Sequence, residues 1–196
     1  DYLRLSVTDL CNYRCRYCMP PDGVEKLPHS SILSLEEYVE IAAAAVGLGI
    51  TKIRVTGGEP LVRRGIVELC RALRAIPGLR ELCLTTNGSL LPELAKPLRE
   101  AGVDRLNISL DTLHPEHFRA MTRTGSLEDV LSGIQAAERA GFKQLKLDTV
   151  LIGGMERGID YTALVRYLSD SPVEHILLME ATGERIYKEA MALPVK

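Results

Sequence analysis

Residues 11–18 read CNYRCRYC and carry three of the five cysteines of this chain, at C-x3-C-x2-C spacing. They follow residues 2–8, where Leu3, Leu5 and Val7 alternate with polar residues as in a half-buried β-strand. Three thiolates on one short loop can bind three irons of a [4Fe–4S] cube, although such clusters ordinarily take four cysteines. The fourth iron would then be open to a small molecule. The spacing therefore indicates a cluster at Cys11, Cys15 and Cys18 that takes part in chemistry.

Three other interpretations fit these cysteines less well. Zinc prefers four ligands, commonly in paired C-x2–4-C units, and no histidine or second cysteine pair lies nearby in the sequence. A disulfide framework is disfavoured because the cysteines are odd in number and few for 196 residues. Three unrelated core cysteines are the remaining alternative.

Composition limits the class of protein. The length of 196 residues is enough for one domain with a sizeable core. The net charge of −2 favours neither a nucleic acid nor a membrane surface as a partner, and no apolar run reaches the roughly 18–20 residues of a membrane span. Clustered free thiols are typical of the reducing cytoplasm, which is the expected location.

Strand and helix patterns alternate six times along the chain. Strands are predicted at residues 2–8, 51–56, 80–86, 104–110, 144–151 and 174–180, and helices at 34–49, 64–76, 92–101, 115–121, 127–140 and 159–168. This order is typical of parallel βαβ units. A closed eight-unit barrel needs about 250 residues. We therefore expect an incomplete (β/α)6 TIM-like barrel over residues 1–183 and a helical tail over 184–196, with a flat doubly wound sheet as the alternative.

The strands alternate between apolar and polar residues, which favours the barrel. A parallel sheet covered on both faces reads as nearly continuous apolar sequence. Here the second, fourth and fifth strands present one polar face, whereas the sixth fits this pattern poorly. The polar face would line a hollow interior and carry three cations and three hydroxyls: Arg4, Arg54, Lys146, Ser6, Thr85 and Ser109. We expect an anionic ligand there; pairing with Asp111 or Asp148, or exposure to water, is the alternative.

Residues 57–60 form a Gly-Gly-Glu-Pro turn between the second strand and the next helix. Without side chains at Gly57 and Gly58, the backbone can approach a ligand closely, and its exposed N–H groups can meet a polar group of that ligand. The turn alone is weak evidence for a site, but the cysteine loop lies one βα unit upstream.

Together the cysteine spacing and this turn resemble the radical S-adenosylmethionine (SAM) superfamily. The resemblance implies that SAM chelates the open iron and that one electron cleaves it to a 5′-deoxyadenosyl radical, which abstracts hydrogen from a substrate. It implies cofactor-binding roles for Gly57, Gly58, Ser109 and Tyr17, the last beside the adenine. Glu59 is counted among these cofactor-binding residues. For its carboxylate we favour a structural hydrogen-bonding role at the turn over a catalytic role.

Five motifs resemble one family within that superfamily, the GTP 3′,8-cyclases, which are lyases that begin molybdenum cofactor synthesis. The motifs are RLSVTD at 4–9, CMPP at 18–21, IRVTGGEP at 53–60, LTTNG at 84–88 and LNISLD at 106–111. The resemblance implies that Arg4, Arg54, Thr85 and Lys146 bind GTP. It also implies a reductant such as flavodoxin or ferredoxin; the assembly state is open, with a homodimer as one option.

The sequence also departs from the cyclase pattern. The family carries a second [4Fe–4S] cluster on a C-terminal cysteine motif, whereas this sequence has no cysteine after Cys83. Thr182 stands where the family has a methionine that contacts SAM. Two further hypotheses therefore remain: a radical SAM enzyme acting on another nucleotide or a peptide, and a non-catalytic iron–sulfur protein.

Overall fold

The computed structural model describes residues 2–24 and 32–148, in which five strands alternate with helices. The strands are β1 (Tyr2–Ser6), β2 (Lys52–Thr56), β3 (Glu81–Thr86), β4 (Arg105–Ser109) and β5 (Leu145–Asp148). The α-helices are α1 (Leu35–Gly47), α2 (Ile66–Arg74), α3 (Leu91–Glu100), α4 (Pro115–Thr122) and α5 (Leu127–Arg139). None of the helices in this part of the chain is long and apolar enough to cross a bilayer.

All five strands run parallel in one sheet, in the order β1-β2-β3-β4-β5. A doubly wound sheet would reverse its strand order at a switch point, and the five described strands show no reversal. The predicted barrel arrangement is therefore confirmed over its first five strands. The sixth predicted strand, the helix at 159–168, the end of the barrel at 183 and the tail at 184–196 lie outside the described residues.

Local sequence explains where the helices begin. The Ser34 hydroxyl accepts a hydrogen bond from the Glu37 N–H at 3.2 Å, and the Glu37 carboxylate accepts one from the Ser34 N–H at 2.7 Å, which forms a capping box before α1. The helix predicted at 64–76 is shorter in the structure. A 3₁₀ turn covers Pro60–Val62, and α2 starts only after Gly65, whose φ of +81° is outside the helical region.

The two faces of the sheet differ sharply. Leu5, Val55, Leu84 and Ile108 point to the face that the helices cover and are almost completely buried in one apolar core. The alternate positions form the polar face, which is partly or fully exposed on the outer strands β1 and β5. The strand alternation in the sequence predicted this division, because successive side chains in a strand point to opposite faces.

Candidate functional site

The segments that carry the predicted site follow the carboxyl ends of neighbouring parallel strands. The cysteine loop, residues 11–18, follows β1, and the Gly-Gly-Glu turn follows β2. Residues 87–89 follow β3, and Asp111 follows β4. Because the strands are parallel and adjacent, all four segments meet at one edge of the sheet, which is the edge where parallel α/β folds place their ligands.

The three loop cysteines are free thiols that differ in exposure. Cys15 is buried, Cys11 is partly buried and Cys18 is exposed. The N–H groups of Cys18 and Met19 donate to the Cys15 carbonyl at 3.1 and 3.0 Å, so the loop turns tightly around Cys15. Burial raises the pKa of Cys15 to about 12, and the neighbouring Cys18 and Cys11 sulfurs add to the rise. Burial also raises the pKa of Cys11, while its hydrogen bond from the Tyr13 N–H opposes the rise.

This donor set could hold an iron–sulfur cluster. A four-iron cluster binds each cysteine through a different iron. Its thiols therefore do not converge on one point, as the ligands of a single metal ion do. Within residues 2–24 and 32–148, no group of three or more His, Cys, Asp or Glu side chains converges as the ligands of a single metal ion. The three sulfurs nevertheless lie close enough to influence one another electrostatically. Three cysteine thiols on one loop are the donor chemistry that such a cluster takes from a protein, and three ligands would leave one iron of a cube without a protein ligand.

The Gly-Gly turn packs directly against the chain that enters the cysteine loop. A Cβ at Gly57 would lie 2.5 Å from the Thr8 carbonyl oxygen, and one at Gly58 would overlap the Leu10 carbonyl oxygen. The Gly58 N–H donates to the Thr8 carbonyl at 2.7 Å, and the Glu59 N–H donates to the Leu10 carbonyl at 2.9 Å. The Gly58 N–H is therefore used within the protein, contrary to the expectation that it is exposed to a ligand. The glycines are required instead by the close approach of two backbones.

Glu59 is a buried carboxylate that joins the turn to the end of β3. Its side chain is 1% exposed and accepts hydrogen bonds from the Leu61 N–H at 3.0 Å, the Thr86 hydroxyl at 2.8 Å and the Asn87 N–H at 2.6 Å. Burial raises its pKa, and these three donors oppose the rise. The structural role favoured from the sequence agrees with these contacts, all of which are made within the protein.

Tyr17 connects the cysteine loop to the end of β4. Its hydroxyl donates to the Asp111 carboxylate at 2.6 Å, and burial, followed by the Asp111 charge, raises the pKa of Tyr17. Ser109 is the last residue of β4 and lies on the polar face, in register with Asp148. The hydrogen bond to Asp111 thus holds Tyr17 at the end of β4, where Ser109 also lies.

The structure places the predicted cations on the polar face but in different environments. Arg4 and Arg54 are direct partners on β1 and β2. The Arg54 Nη1 donates to the Thr85 hydroxyl at 3.4 Å, whereas its buried Nε has no hydrogen-bond partner. Lys146 forms an ion pair with Asp148 at 2.8 Å and remains 57% exposed. The alternative of internal pairing therefore holds for Lys146 in this structure.

Two segments that the sequence did not indicate hold the cysteine loop in place. The Asn12 side chain bonds to Asn87 at 2.8 Å and to Ser89 at 2.9 Å, after β3. Residues 121–125, at the end of α4 and just beyond it, accept and donate hydrogen bonds along the loop. The Asn-Gly pair at 87–88 and the Thr-Gly pair at 124–125 mark turns in the sequence, but neither pair indicates which distant segment the turn contacts.

Comparisons of this chain with known proteins agree on one family. Residues 5–168 match the model of the radical SAM superfamily. The chain is 57% identical over 174 residues to a GTP 3′,8-cyclase of Pseudomonas entomophila, covering 89% of this chain and 52% of that protein. It is 56% identical over 186 residues to a GTP 3′,8-cyclase of Geobacter sulfurreducens, covering 94% and 57%. The chain thus spans about half the length of the curated relatives it matches.

A solved structure agrees at the level of the fold. The crystal structure of methylornithine synthase superposes with a TM-score of 0.66 at 18% identity, covering 86% of this chain and 49% of that one. Identity this low shows the fold alone, and the radical SAM structural neighbours have a partial TIM barrel. The chain therefore belongs to the radical SAM superfamily, whose members use a [4Fe–4S] cluster and S-adenosylmethionine.

Proposed function

We propose that this chain carries the radical SAM part of a GTP 3′,8-cyclase, a lyase that begins molybdenum cofactor synthesis. The similarity to proteins of that name exceeds 55% identity over most of this chain in two relatives. The observation that carries the choice of an anionic nucleotide is that Arg4 and Arg54, neighbours on the polar face, form no ion pair among the described residues. The proposal covers the activity of the whole protein, of which the described residues form one part.

Cys11, Cys15 and Cys18 are the proposed cluster ligands in this account. When bound, the cluster would supply the electron that cleaves S-adenosylmethionine and so generates the hydrogen-abstracting radical. The proposed contacts of SAM lie at the same carboxyl-terminal edge of the sheet: the Gly57–Gly58 turn, Tyr17 and Ser109. Two N–H groups of the turn are used by the loop, which leaves backbone carbonyls as the natural partners of an amino group.

The pairing of Arg4 with Arg54 supports an anionic substrate. Like charges directly opposite each other on neighbouring strands destabilise a sheet. Among the described residues, neither guanidinium forms an ion pair. A triphosphate between the two guanidinium groups would relieve this repulsion and hold the nucleotide on the polar face through charge-assisted hydrogen bonds.

Thr85 and Lys146 complete the proposed GTP contacts. Thr85 lies beside the Arg54 guanidinium, so its hydroxyl orients that group. Lys146 is exposed and paired with Asp148. Exchange of one surface ion pair for another costs little, so Lys146 can leave Asp148 for a ligand phosphate.

Arg54→Ala tests the substrate proposal, with Arg105→Ala as a matched control. Arg105 occupies the same face, on β4, but its guanidinium is already paired with Glu81 at 2.9 Å. Isothermal titration should show GTP affinity lowered at least 10-fold in Arg54→Ala, because a charge-assisted hydrogen bond contributes about 1.5–3 kcal/mol. Arg105→Ala should stay within about 3-fold of the wild type, which corresponds to less than 1 kcal/mol. Unchanged GTP affinity in Arg54→Ala, with SAM affinity also unchanged, would contradict the assignment.

The proposal also includes a compartment and an electron source. All five cysteines are free in the structure, and exposed thiols such as Cys18 persist in reducing surroundings. We place the enzyme in the cytoplasm with a small electron carrier, such as flavodoxin or ferredoxin, as reductant. The net charge of −2 provides no basis for a nucleic-acid or membrane partner.

A further inference from the structure

The cysteine loop is held by a segment that lies more than a hundred residues away in sequence. We call residues 121–125 the clamp segment. Its carbonyl groups accept hydrogen bonds from the loop backbone: Arg14 N–H donates to Thr122 at 3.0 Å, and Arg16 N–H donates to Met121 at 2.9 Å. These bonds lie on both sides of Cys15, so they define the path of the loop through its central cysteine.

The backbone of the clamp segment is strained at Arg123. This residue has φ +62° and ψ −41°, and it is the one non-glycine residue with positive φ in the part of the chain that the structure describes. The Thr124 N–H donates to the Thr122 carbonyl at 2.8 Å across it. Residues 122–124 therefore form a γ-turn of the rare kind with positive φ at its centre. A glycine would adopt this conformation with little cost, whereas an arginine does not.

The Arg123 side chain explains why an arginine occupies this position. Its Nη1 donates to the Arg14 carbonyl at 2.7 Å and to the Met19 carbonyl at 3.0 Å. These two carbonyl groups stand on either side of the segment that contains Cys15 and Cys18. One guanidinium nitrogen thus ties together the two ends of this part of the loop, and the γ-turn places it there.

A further bond extends the clamp to the start of the loop. The Thr124 hydroxyl donates to the Asn12 carbonyl at 3.1 Å. The Tyr13 ring packs edge-to-face on Phe118 of α4, with 6.1 Å between ring centroids, and covers Gly125 at the end of the clamp segment. None of these contacts involves a cysteine sulfur, so none depends on a bound cluster.

We infer that Arg123 is a positioning residue that sets the cysteine loop in its cluster-binding shape before iron arrives. The inference rests on the proposed assignment of Cys11, Cys15 and Cys18 as cluster ligands. Arg123 acts through the backbone of the loop and touches neither cluster nor substrate. A loop that is already shaped loses less conformational freedom on binding, and it should assemble and retain a cluster better than a loose one.

Arg123→Gly and Arg123→Ala separate the side chain from the strained backbone. Both remove the guanidinium, but glycine adopts the positive φ without strain and so keeps the shape of the turn. Arg74→Ala is the control, because the Arg74 Nη1 also donates to a backbone carbonyl, that of Leu79 at 2.9 Å, on another part of the protein. Arg123→Lys keeps a cation that can reach a carbonyl and should recover part of the function.

The experiment uses the complete natural protein, first without and then with iron and sulfide. In the apoprotein, amide hydrogen exchange at Arg14 and Arg16 should become at least 10-fold faster in Arg123→Gly and Arg123→Ala, and unchanged in Arg74→Ala. After anaerobic reconstitution, loss of the cluster to an iron chelator should be at least 5-fold faster in both Arg123 variants than in the control. Arg123→Lys should fall between these limits.

Two results would overturn the inference. One is wild-type exchange at both amides in Arg123→Gly. The other is wild-type cluster retention in Arg123→Gly despite faster exchange, which would make the contact structural only. Failure of the wild-type protein to bind a cluster would instead contradict the proposed function, and the exchange measurement on the apoprotein would still test the clamp.

Discussion

Gly58→Ala should destabilise the apoprotein because the turn and the loop share no room for a methyl group. An added Cβ would overlap the Leu10 carbonyl oxygen and lie 2.7 Å from that of Asp9. Both obstacles are backbone atoms, so neither can move like the end of a flexible side chain. The substitution must therefore push the turn away from the chain that leads into the cysteine loop.

The cost can be worked from the bonds that this displacement breaks. The Gly58 and Glu59 N–H groups donate across the contact at 2.7 and 2.9 Å. Each such bond is worth about 1 kcal/mol, and an overpacked site costs about 1–3 kcal/mol. We expect a loss of about 3 kcal/mol in the free energy of unfolding. With a urea slope of about 2 kcal/mol/M, the midpoint should fall by about 1.5 M.

Urea unfolding followed by circular dichroism measures this change under reducing conditions. Gly47→Ala is the control: it lies in α1, no atom is within 4 Å of its added Cβ, and alanine should stabilise the helix by about 0.5–1 kcal/mol. A Gly58→Ala midpoint within about 0.3 M of the wild type, well under 1 kcal/mol at this slope, would refute the close-approach reasoning.

Two further substitutions test the charges around the sheet. Burial alone would raise the pKa of Glu81, but Lys52 and Arg105 lower it. A carboxylate with a lowered pKa stabilises the fold above the unfolded value near 4.5, and this stabilisation is lost as the pH falls through the folded pKa. Glu81→Gln should therefore cost about 1 kcal/mol at pH 7 and little at pH 3, and an equal cost at both values by urea unfolding would contradict the ion-pair account. Glu59→Ala should cost about 3 kcal/mol, since three donors lose their buried acceptor; a loss below about 1 kcal/mol would show that water replaces the carboxylate easily.

Sequence patterns predicted the architecture well because the strands have one apolar face. Alternation in β2 follows directly from burial against the helices, and the structure retains it. In β4 it is lost in burial, because Asn107 on the polar face is buried too. Element ends were less predictable: β1 stops at Ser6, where residues 2–8 were expected. The start of α2 was also misplaced, because a single positive φ at Gly65 delays the helix by two residues.

The candidate site was predictable only where its residues are close together in the sequence. Cysteine spacing and the Gly-Gly turn are local, and both lie at the expected strand ends. The clamp at Arg123 was not predictable, because a positive φ at arginine has no signal in sequence and its carbonyl partners are about a hundred residues away. The alternation of polar and apolar residues could not decide whether Lys146 binds a ligand or pairs with Asp148, because both residues lie on the same face.

Anaerobic turnover tests the central claim most directly. The complete protein, reconstituted with iron and sulfide, would be mixed with S-adenosylmethionine and dithionite, with and without GTP, and 5′-deoxyadenosine would be quantified. The account predicts 5′-deoxyadenosine formation that GTP strongly stimulates, together with a new GTP-derived product, and loss of both in Cys15→Ala. Absence of 5′-deoxyadenosine from cluster-loaded wild type, or its undiminished formation by Cys15→Ala, would contradict the account.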